Sequence, residues 1–319
     1  MRILVTGGAG FIGSHVAEAF LAAGHEVAIV DNLSTGQLQN LPKGARFLEA
    51  DLVDRAVAEF VAEFRPDVID HHAAHADVFE SVREPLNDAR INVLGTVALL
   101  DAAVKAQVRK VIFISSGGAI YGNPEYTPCR EDHPARPVSP YAASKLAGEE
   151  YLRMFGRTYG LDYTILRYPN IYGPRQHPYT EEGQVVALFA RLMLAGRRPT
   201  IFGDGEQARD FVFVRDVADA NLRALERGSG HVLNLGTGSW VTVNQLYQSL
   251  QRLTGFQHRP TYAPARPGEV YRIALDAGMA RTELGWRAET AFDEGLKATV
   301  EWIAMQPAPS PPSSSGTAG

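Results

Sequence analysis

The stretch that most constrains this chain lies at its start. Arg2-Ile3-Leu4-Val5-Thr6 is a short run of β-formers, and Gly7-Gly8-Ala9-Gly10-Phe11-Ile12-Gly13 follows without a break. Ser14 to Ala23 places Val16, Phe20 and Leu21 near one face of an expected helix. Gly24 ends that helix, and Glu26-Val27-Ala28-Ile29-Val30-Asp31 reads as a second strand. Strand, glycine-rich turn, helix, strand and closing carboxylate together describe a dinucleotide-binding βαβ unit.

Each residue type has a physical task there. A turn without Cβ atoms lets a diphosphate approach the backbone, and the unpaired N–H groups at the helix start point at the anion. Gly13 lets the helix pack closely on the sheet. Asp31 falls 18 residues after Gly13, at the end of the second strand. A carboxylate there accepts from a ribose diol and repels a 2′-phosphate, which favours NAD over NADP. An ordinary glycine turn also fits the spacing alone; the flanking strands, helix and Asp31 are what argue against it.

Alternation continues downstream. Strands are expected at residues 46–51, 68–70, 111–116 and 163–167. Helices are expected at 53–64, 87–107 and 141–159. That order means a parallel, doubly wound α/β sheet of Rossmann type. Ligands then sit beyond the carboxyl ends of the strands. After Tyr168 the regularity weakens. Pro169 to Gly183 reads as a shaped loop, and helices are expected at 185–195, from 216 to near 227, and at 243–254. A late strand at 232–236 could rejoin the sheet. Residues 1–168 and about 214–238 are therefore expected to form the dinucleotide-binding domain. About 169–213 and 239–306 form a smaller, interleaved substrate lobe, and the Pro/Ser/Gly-rich 307–319 a disordered tail.

The bulk numbers narrow the partners. Of 319 residues, 45% are hydrophobic and 21% charged, which suits a globular chain. A net charge of −5 gives no basis for nucleic-acid binding. No apolar run reaches membrane-spanning length. A strand starting at residue 2 leaves no room for a signal peptide, and the single cysteine, Cys129, forbids an internal disulfide. A cytoplasmic protein is expected.

The second informative stretch is Ser139-Pro140-Tyr141-Ala142-Ala143-Ser144-Lys145. Ser139 suits an N-cap and Pro140 the first helical position. Tyr141 and Lys145 then share one helix face. An ammonium near a phenol, at the positive end of a helix, favours phenolate and hence proton exchange with a substrate hydroxyl. His71, His72 and His75 end a strand without a recognised zinc spacing, so lining of the cofactor pocket is expected rather than metal binding.

Gly7-x-x-Gly10-x-x-Gly13 with Tyr141-x-x-x-Lys145 resembles the extended short-chain dehydrogenase/reductase family. Ser115 to Gly122, Leu166 to Arg175 and Arg209-Asp210-Phe211 resemble its UDP-glucose 4-epimerases. The resemblance runs from residue 1 to about Trp302. It implies interconversion of UDP-glucose and UDP-galactose through a transient 4-keto sugar, with retained NAD. Other NAD-dependent UDP-sugar enzymes stay open: N-acetylhexosamine or glucuronate 4-epimerases, or decarboxylases. A non-catalytic dinucleotide sensor is disfavoured by the complete Tyr/Lys pair.

The resemblance also implies roles. Gly7, Gly10, Phe11, Ile12 and Gly13 would line the pyrophosphate. Asp31, Asn32, Ser34, Thr35 and Gly36 would meet the adenosine ribose, and Asp51 and Leu52 the adenine. His72, Ala73, Ala74 and His75 would run beside the dinucleotide. Asn92, Ser115, Lys145 and Tyr168 would lie near the nicotinamide. Gly117, Gly118, Tyr141, Asn170, Val185, Arg209, Arg266 and Glu269 would meet the sugar nucleotide. Ile273 would gate the sugar C2 substituent. Counting back from Tyr121-Gly122, the hydroxyl residue that usually assists the tyrosine falls on Gly117, which has none; the adjacent Ser116 is the expected substitute. Gly117-Gly118 also lacks the Asp-Glu pair of the sugar-nucleotide dehydratases. A homodimer joined through the helices at 87–107 and 141–159 is a further implication.

Overall fold

β1 (Arg2–Thr6) is buried on both sides because its apolar residues face two separate cores. Ile3 and Val5 join one, Leu4 the other. The computed structural model describes residues 1–176, 185–265 and 270–307. From β1 the chain passes through α1 (Phe11–Ala22), β2 (Glu26–Asp31), β3 (Arg46–Glu49), α2 (Arg55–Phe64), β4 (Val68–His71) and α3 (Val78–Arg83). The expected long helix is a single run in three pieces: α4 (Pro85–Ala89), a π turn (Arg90–Leu94) and α5 (Gly95–Lys105). β5 (Lys110–Ser116), α6 (Gly117–Ile120), α7 (Pro140–Tyr159) and β6 (Asp162–Tyr168) follow.

These strands order as β3-β2-β1-β4-β5-β6, all parallel. The winding reverses between β1 and β4, which is where such sheets open a ligand crevice. Gly7–Gly13 leaves β1 and His72–His75 leaves β4, so both lie at that point.

Beyond β6 the chain forms β7 (Asn170–Tyr172), α8 (Val185–Leu194), β8 (Thr200–Phe202), β9 (Ala208–Arg209), β10 (Phe211–Phe213) and α9 (Val214–Ala224). β11 (His231–Asn234) then rejoins the main sheet beside β6 as its seventh strand. The remainder is β12 (Val241–Thr242), α10 (Val243–Thr254), β13 (Thr261–Ala263), β14 (Arg272–Ile273), α11 (Gly278–Glu283) and α12 (Phe292–Met305). β12, β9 and β14 make a three-stranded sheet, and β7–β10 and β8–β13 make two-stranded ones. Helix ends follow from local chemistry. Thr242 and Gln245 form a capping box at the start of α10, and Gly255 closes it in the left-handed region. The loop expected at 169–183 contains β7 and otherwise runs into residues 177–184, outside the described set, as do 308–319 of the expected tail. Among the described residues no helix is long and apolar enough to cross a membrane.

Candidate active site

The glycine loop is held by contacts that no side chain would permit. Gly7 has φ +70°, and a Cβ there would lie 2.7 Å from the Ala73 nitrogen. A Cβ on Gly13 would lie 2.3 Å from the Gly7 oxygen. Gly13 thus serves close approach of α1 to the strand-end turn. Gly10 is the N-cap of α1; it gives no side-chain cap, and the first turn carries no acidic residue. The N–H groups of Phe11, Ile12 and Gly13 are therefore free of any side-chain cap, the donor set a diphosphate fits.

Asp31 sits nearly buried at the end of β2. One oxygen accepts from the Ala9 N–H at 3.0 Å and the other from the Leu33 N–H at 2.8 Å. Burial pushes its carboxyl up from the usual value, and those two bonds oppose the rise. Gly36 leaves space beside it: a Cβ there would come within 2.7 Å of an Asp31 oxygen. Asn32 donates to Asp51 at 2.6 Å and accepts from the Ser34 N–H, while Ser34 and Thr35 are exposed. Leu52 packs against Gly95. The residues expected to meet adenosine thus share one rim.

The three histidines diverge. His71 is buried between the hydroxyls of Thr6 at 2.7 Å and Thr96 at 3.0 Å. Burial, then the charge of Lys145, hold it well below the ordinary histidine value. His72 Nε2 lies 3.1 Å from Asp70, and His75 Nε2 lies 3.2 Å from Glu80. Among the described residues no group of three or more His, Cys, Asp or Glu is placed to hold a metal ion. Ala73 and Ala74 complete the loop from β4. Asn92 clamps that loop: its side chain accepts from the His75 N–H and donates to the His75 oxygen. Its amide also donates to Asp88. The Asn92 side chain thereby organises the loop that leaves β4.

α7 begins as its sequence dictates. Ser139 accepts from the Ala142 N–H at 3.2 Å, and Pro140 occupies the first turn. Tyr141 is partly exposed, and Ser116 at the end of β5 lies beside its phenol. Burial pushes the phenol up to about 12, the Ser116 contact lowers it, and the Asp88 carboxylate adds to the rise. Lys145 is buried, with Nζ donating to the Ile114 oxygen at 2.9 Å. Burial brings its ammonium down to about 8, against the pull of Asp88. The expected depression of the tyrosine by Lys145 is therefore corrected: burial governs the phenol, opposed by Ser116.

Ser116, not Gly117, is the hydroxyl-bearing residue beside the phenol. Gly117 does not face Tyr141; a Cβ on it would strike Leu275 at 2.4 Å and approach Arg167. Gly118 is more open, its nearest neighbour being the Asn170 side-chain oxygen. The Ser115 hydroxyl is spent on Glu149 at 2.6 Å, leaving only its main chain for a cofactor. Tyr168 is buried under the sheet end, its hydroxyl accepting from Asn221 at 2.5 Å. That hydroxyl is engaged inside the core.

On the substrate side, Asn170 opens β7, Val185 opens α8 and Arg209 ends β9. The Arg209 guanidinium donates to the oxygens of Ala208 and Tyr271. Arg266 and Glu269 lie outside the described residues. Ile273 packs with Ile120, Tyr121, Cys129 and Leu275 in a small buried cluster. Two residues escaped the sequence reading. Asp88 accepts from Ser144 at 2.5 Å, next to Lys145. Asp210 holds the N–H groups of Thr237, Gly238 and Leu275. The Asp in Arg209-Asp210-Phe211 was the available signal for the second; nothing local marked the first.

A glycine-lined diphosphate site facing a Tyr/Lys/Ser cluster across the mouth of a doubly wound sheet defines an NAD-dependent enzyme acting on a hydroxyl-bearing substrate. The chain belongs to the NAD dependent epimerase/dehydratase family, whose model matches residues 3–236. It is similar to the UDP-glucose 4-epimerase of Mycolicibacterium smegmatis, at 46% identity over 95% of this chain and 98% of that one. Among solved structures it resembles the Thermotoga maritima UDP-glucose 4-epimerase with UDP-glucose: 48% identity, TM-score 0.93, covering 95% of this chain and 98% of that one. The Thermus thermophilus UDP-glucose 4-epimerase complex with NAD is 44% identical, with TM-score 0.90, covering 95% and 99%.

Proposed function

We propose that the protein is an NAD-dependent UDP-glucose 4-epimerase that interconverts UDP-glucose and UDP-galactose. The observation that carries this reading is the meeting of Tyr141, Ser116 and Lys145 at the carboxyl end of β5, beside a glycine loop suited to the NAD diphosphate. The chemistry supplied by bound NAD is reversible hydride acceptance at the sugar C4, which takes the substrate through a transient 4-keto sugar. Tyr141 removes the C4 hydroxyl proton and returns it. Ser116 hydrogen-bonds both this oxygen and the phenol, orienting the transfer. For this Tyr141 acts as the phenolate, a form that the Lys145 ammonium one turn along α7 favours.

Asp31 selects the unphosphorylated ribose, and the N–H groups of Phe11, Ile12 and Gly13 bind the pyrophosphate. Asn32, Ser34, Thr35, Gly36, Asp51 and Leu52 complete the adenosine side. Asn170, Val185 and Arg209, with Arg266 and Glu269, bind the nucleotide of the substrate, so the substrate lobe comprises about 169–213 and 239–306. The reaction has no net redox change, so the cofactor is retained between turnovers.

A homodimer is the proposed assembly. Val82, Leu86, Leu94 and Tyr151 expose apolar surface on α3, α4, the π turn and α7, and Leu86 is 86% exposed. The buried free thiol of Cys129 fits a reducing, cytoplasmic setting. The functional test is incubation with UDP-glucose and chromatographic detection of UDP-galactose. Formation without any added oxidant or reductant supports the reading; no inversion of any UDP-hexose at C4 overturns it.

A further inference from the structure

Three consecutive residues at the end of β5 are each engaged by one of three residues spaced four apart on α7. Ile114 receives Lys145, Ser115 binds Glu149, and Ser116 meets Tyr141. Positions 141, 145 and 149 share one helix face. The first and last of these α7 positions belong to different parts of the fold: Tyr141 overhangs the site, and Glu149 is fully buried two turns below.

Glu149 accepts four hydrogen bonds. One oxygen accepts from the Ser115 hydroxyl at 2.6 Å and from Arg167 Nε at 2.9 Å; the other accepts from Arg167 Nη2 at 2.7 Å and Arg153 at 3.3 Å. Arg167 comes from β6, and its Nη1 reaches the Tyr121 hydroxyl at 2.8 Å and the Glu131 oxygen at 3.2 Å. The Tyr121 hydroxyl donates to Asn234 on β11 at 2.9 Å. A forked carboxylate–guanidinium pair is directional as well as strong. It locks α7 to β6 and, through Ser115, to β5.

We propose that Glu149 is a positioning residue for the epimerase reaction: through Ser115 it sets the orientation of the β5 end, so that Ser116 presents its hydroxyl to Tyr141. The physical reason is the two-residue period of a strand. Holding the Ser115 side chain toward α7 determines where the main chain and the next side chain point. Nothing in the site reaches Glu149, so its effect on catalysis runs only through this geometry. The proposal rests on the 4-epimerase reading above.

Removing the carboxylate from Arg167 would strand a buried charge, and E149Q could fail to fold for that reason. S115A isolates the link, because it deletes the Ser115–Glu149 bond and leaves the Glu149–Arg167 pair intact. Purified S115A is compared with wild type for melting temperature, retained NAD, steady-state kinetics with UDP-glucose and crystal structure. The expected result is a folded enzyme with wild-type NAD content and a KM within about twofold. Its kcat is lowered roughly 10- to 100-fold, and Ser116 is turned away from Tyr141 in the crystal. A kcat within about twofold of wild type overturns the proposal. So does a loss of rate matched by loss of NAD, which would make Ser115 a cofactor ligand, or a crystal in which Ser116 keeps its place. If wild type itself inverts no UDP-hexose, the functional reading falls, and the crystal structure of S115A alone decides the positioning.

Discussion

The Lys145 ammonium donates to the main-chain oxygen of Ile114 at 2.9 Å, inside the sheet-facing side of α7. One helical turn separates it from Tyr141, yet its hydrogen bond goes to the strand. Its burial, at 5% exposed, brings the ammonium down to about 8.

A pH dependence follows from that value. Lys145 is charged below about pH 8 and neutral above it. Losing that charge withdraws support from the Tyr141 phenolate, so kcat/KM, which reports the free enzyme, falls as pH rises through about 8. Lys145→Met should have a low rate with no such limb. Stability moves the other way. Between about 8 and the ordinary lysine value of 10.5 the unfolded chain binds the extra proton, so this group makes stability rise with pH across that window. Melting curves of wild type and Lys145→Met at several pH values check the sign; a wild-type increment that falls with pH contradicts it.

Tyr141→Phe removes the group proposed to move the C4 proton. It should lower kcat by about 10²- to 10⁴-fold while leaving NAD bound and the fold intact. Survival of near wild-type epimerisation would remove Tyr141 from its role.

Ser116 and Gly117 make contrasting predictions. Ser116→Ala takes away the hydroxyl partner of Tyr141 and should cost roughly 10- to 100-fold in kcat. Gly117→Ala inserts a methyl group against Leu275 and should act on stability, by about 1–3 kcal/mol, through overpacking. Kinetics and denaturant unfolding on both variants separate the two effects. A stable Ser116→Ala enzyme with full activity would return the question to Gly117.

The cofactor loop offers a steric test. Gly13→Ala places a carbon 2.3 Å from the Gly7 carbonyl oxygen, a backbone atom that cannot swing aside. The loop and α1 must separate, and NAD should be lost on gel filtration. Retention of a full complement of NAD would show that the turn tolerates more than its contacts suggest.

Asp31→Ser removes the charge that faces the ribose. NADP binding should rise relative to NAD by about tenfold or more, since like-charge repulsion is worth several kcal/mol in a desolvated site. Fluorescence titration with the two reduced cofactors measures it. An unchanged ratio would place the discrimination elsewhere.

Much of the fold was legible because its signals are local. The βαβ opening, the alternation of strands and helices and the caps of α7 and α10 depend on residues a few positions apart. The interruption of the long helix at Asn92 was less so. That residue is unusual in a helix, and its partner, His75, lies 17 positions upstream on a loop whose path only the sheet defines. The short strands β8, β9 and β12–β14 carry two or three residues each, too few for a periodicity.

The site divides along the same line. The amino-acid order alone determined the dinucleotide loop, the carboxylate at Asp31 and the spacing that puts Tyr141 and Lys145 on one helix face, because one turn or one strand encodes each. Tertiary structure decided which groups those residues meet. It placed Ser116 rather than Gly117 at the phenol and drew Lys145 to Ile114. It also buried Asp88 near both, and let desolvation govern the tyrosine. Burial and charge proximity arise from strands and helices distant in the chain, so no local spacing could contain them.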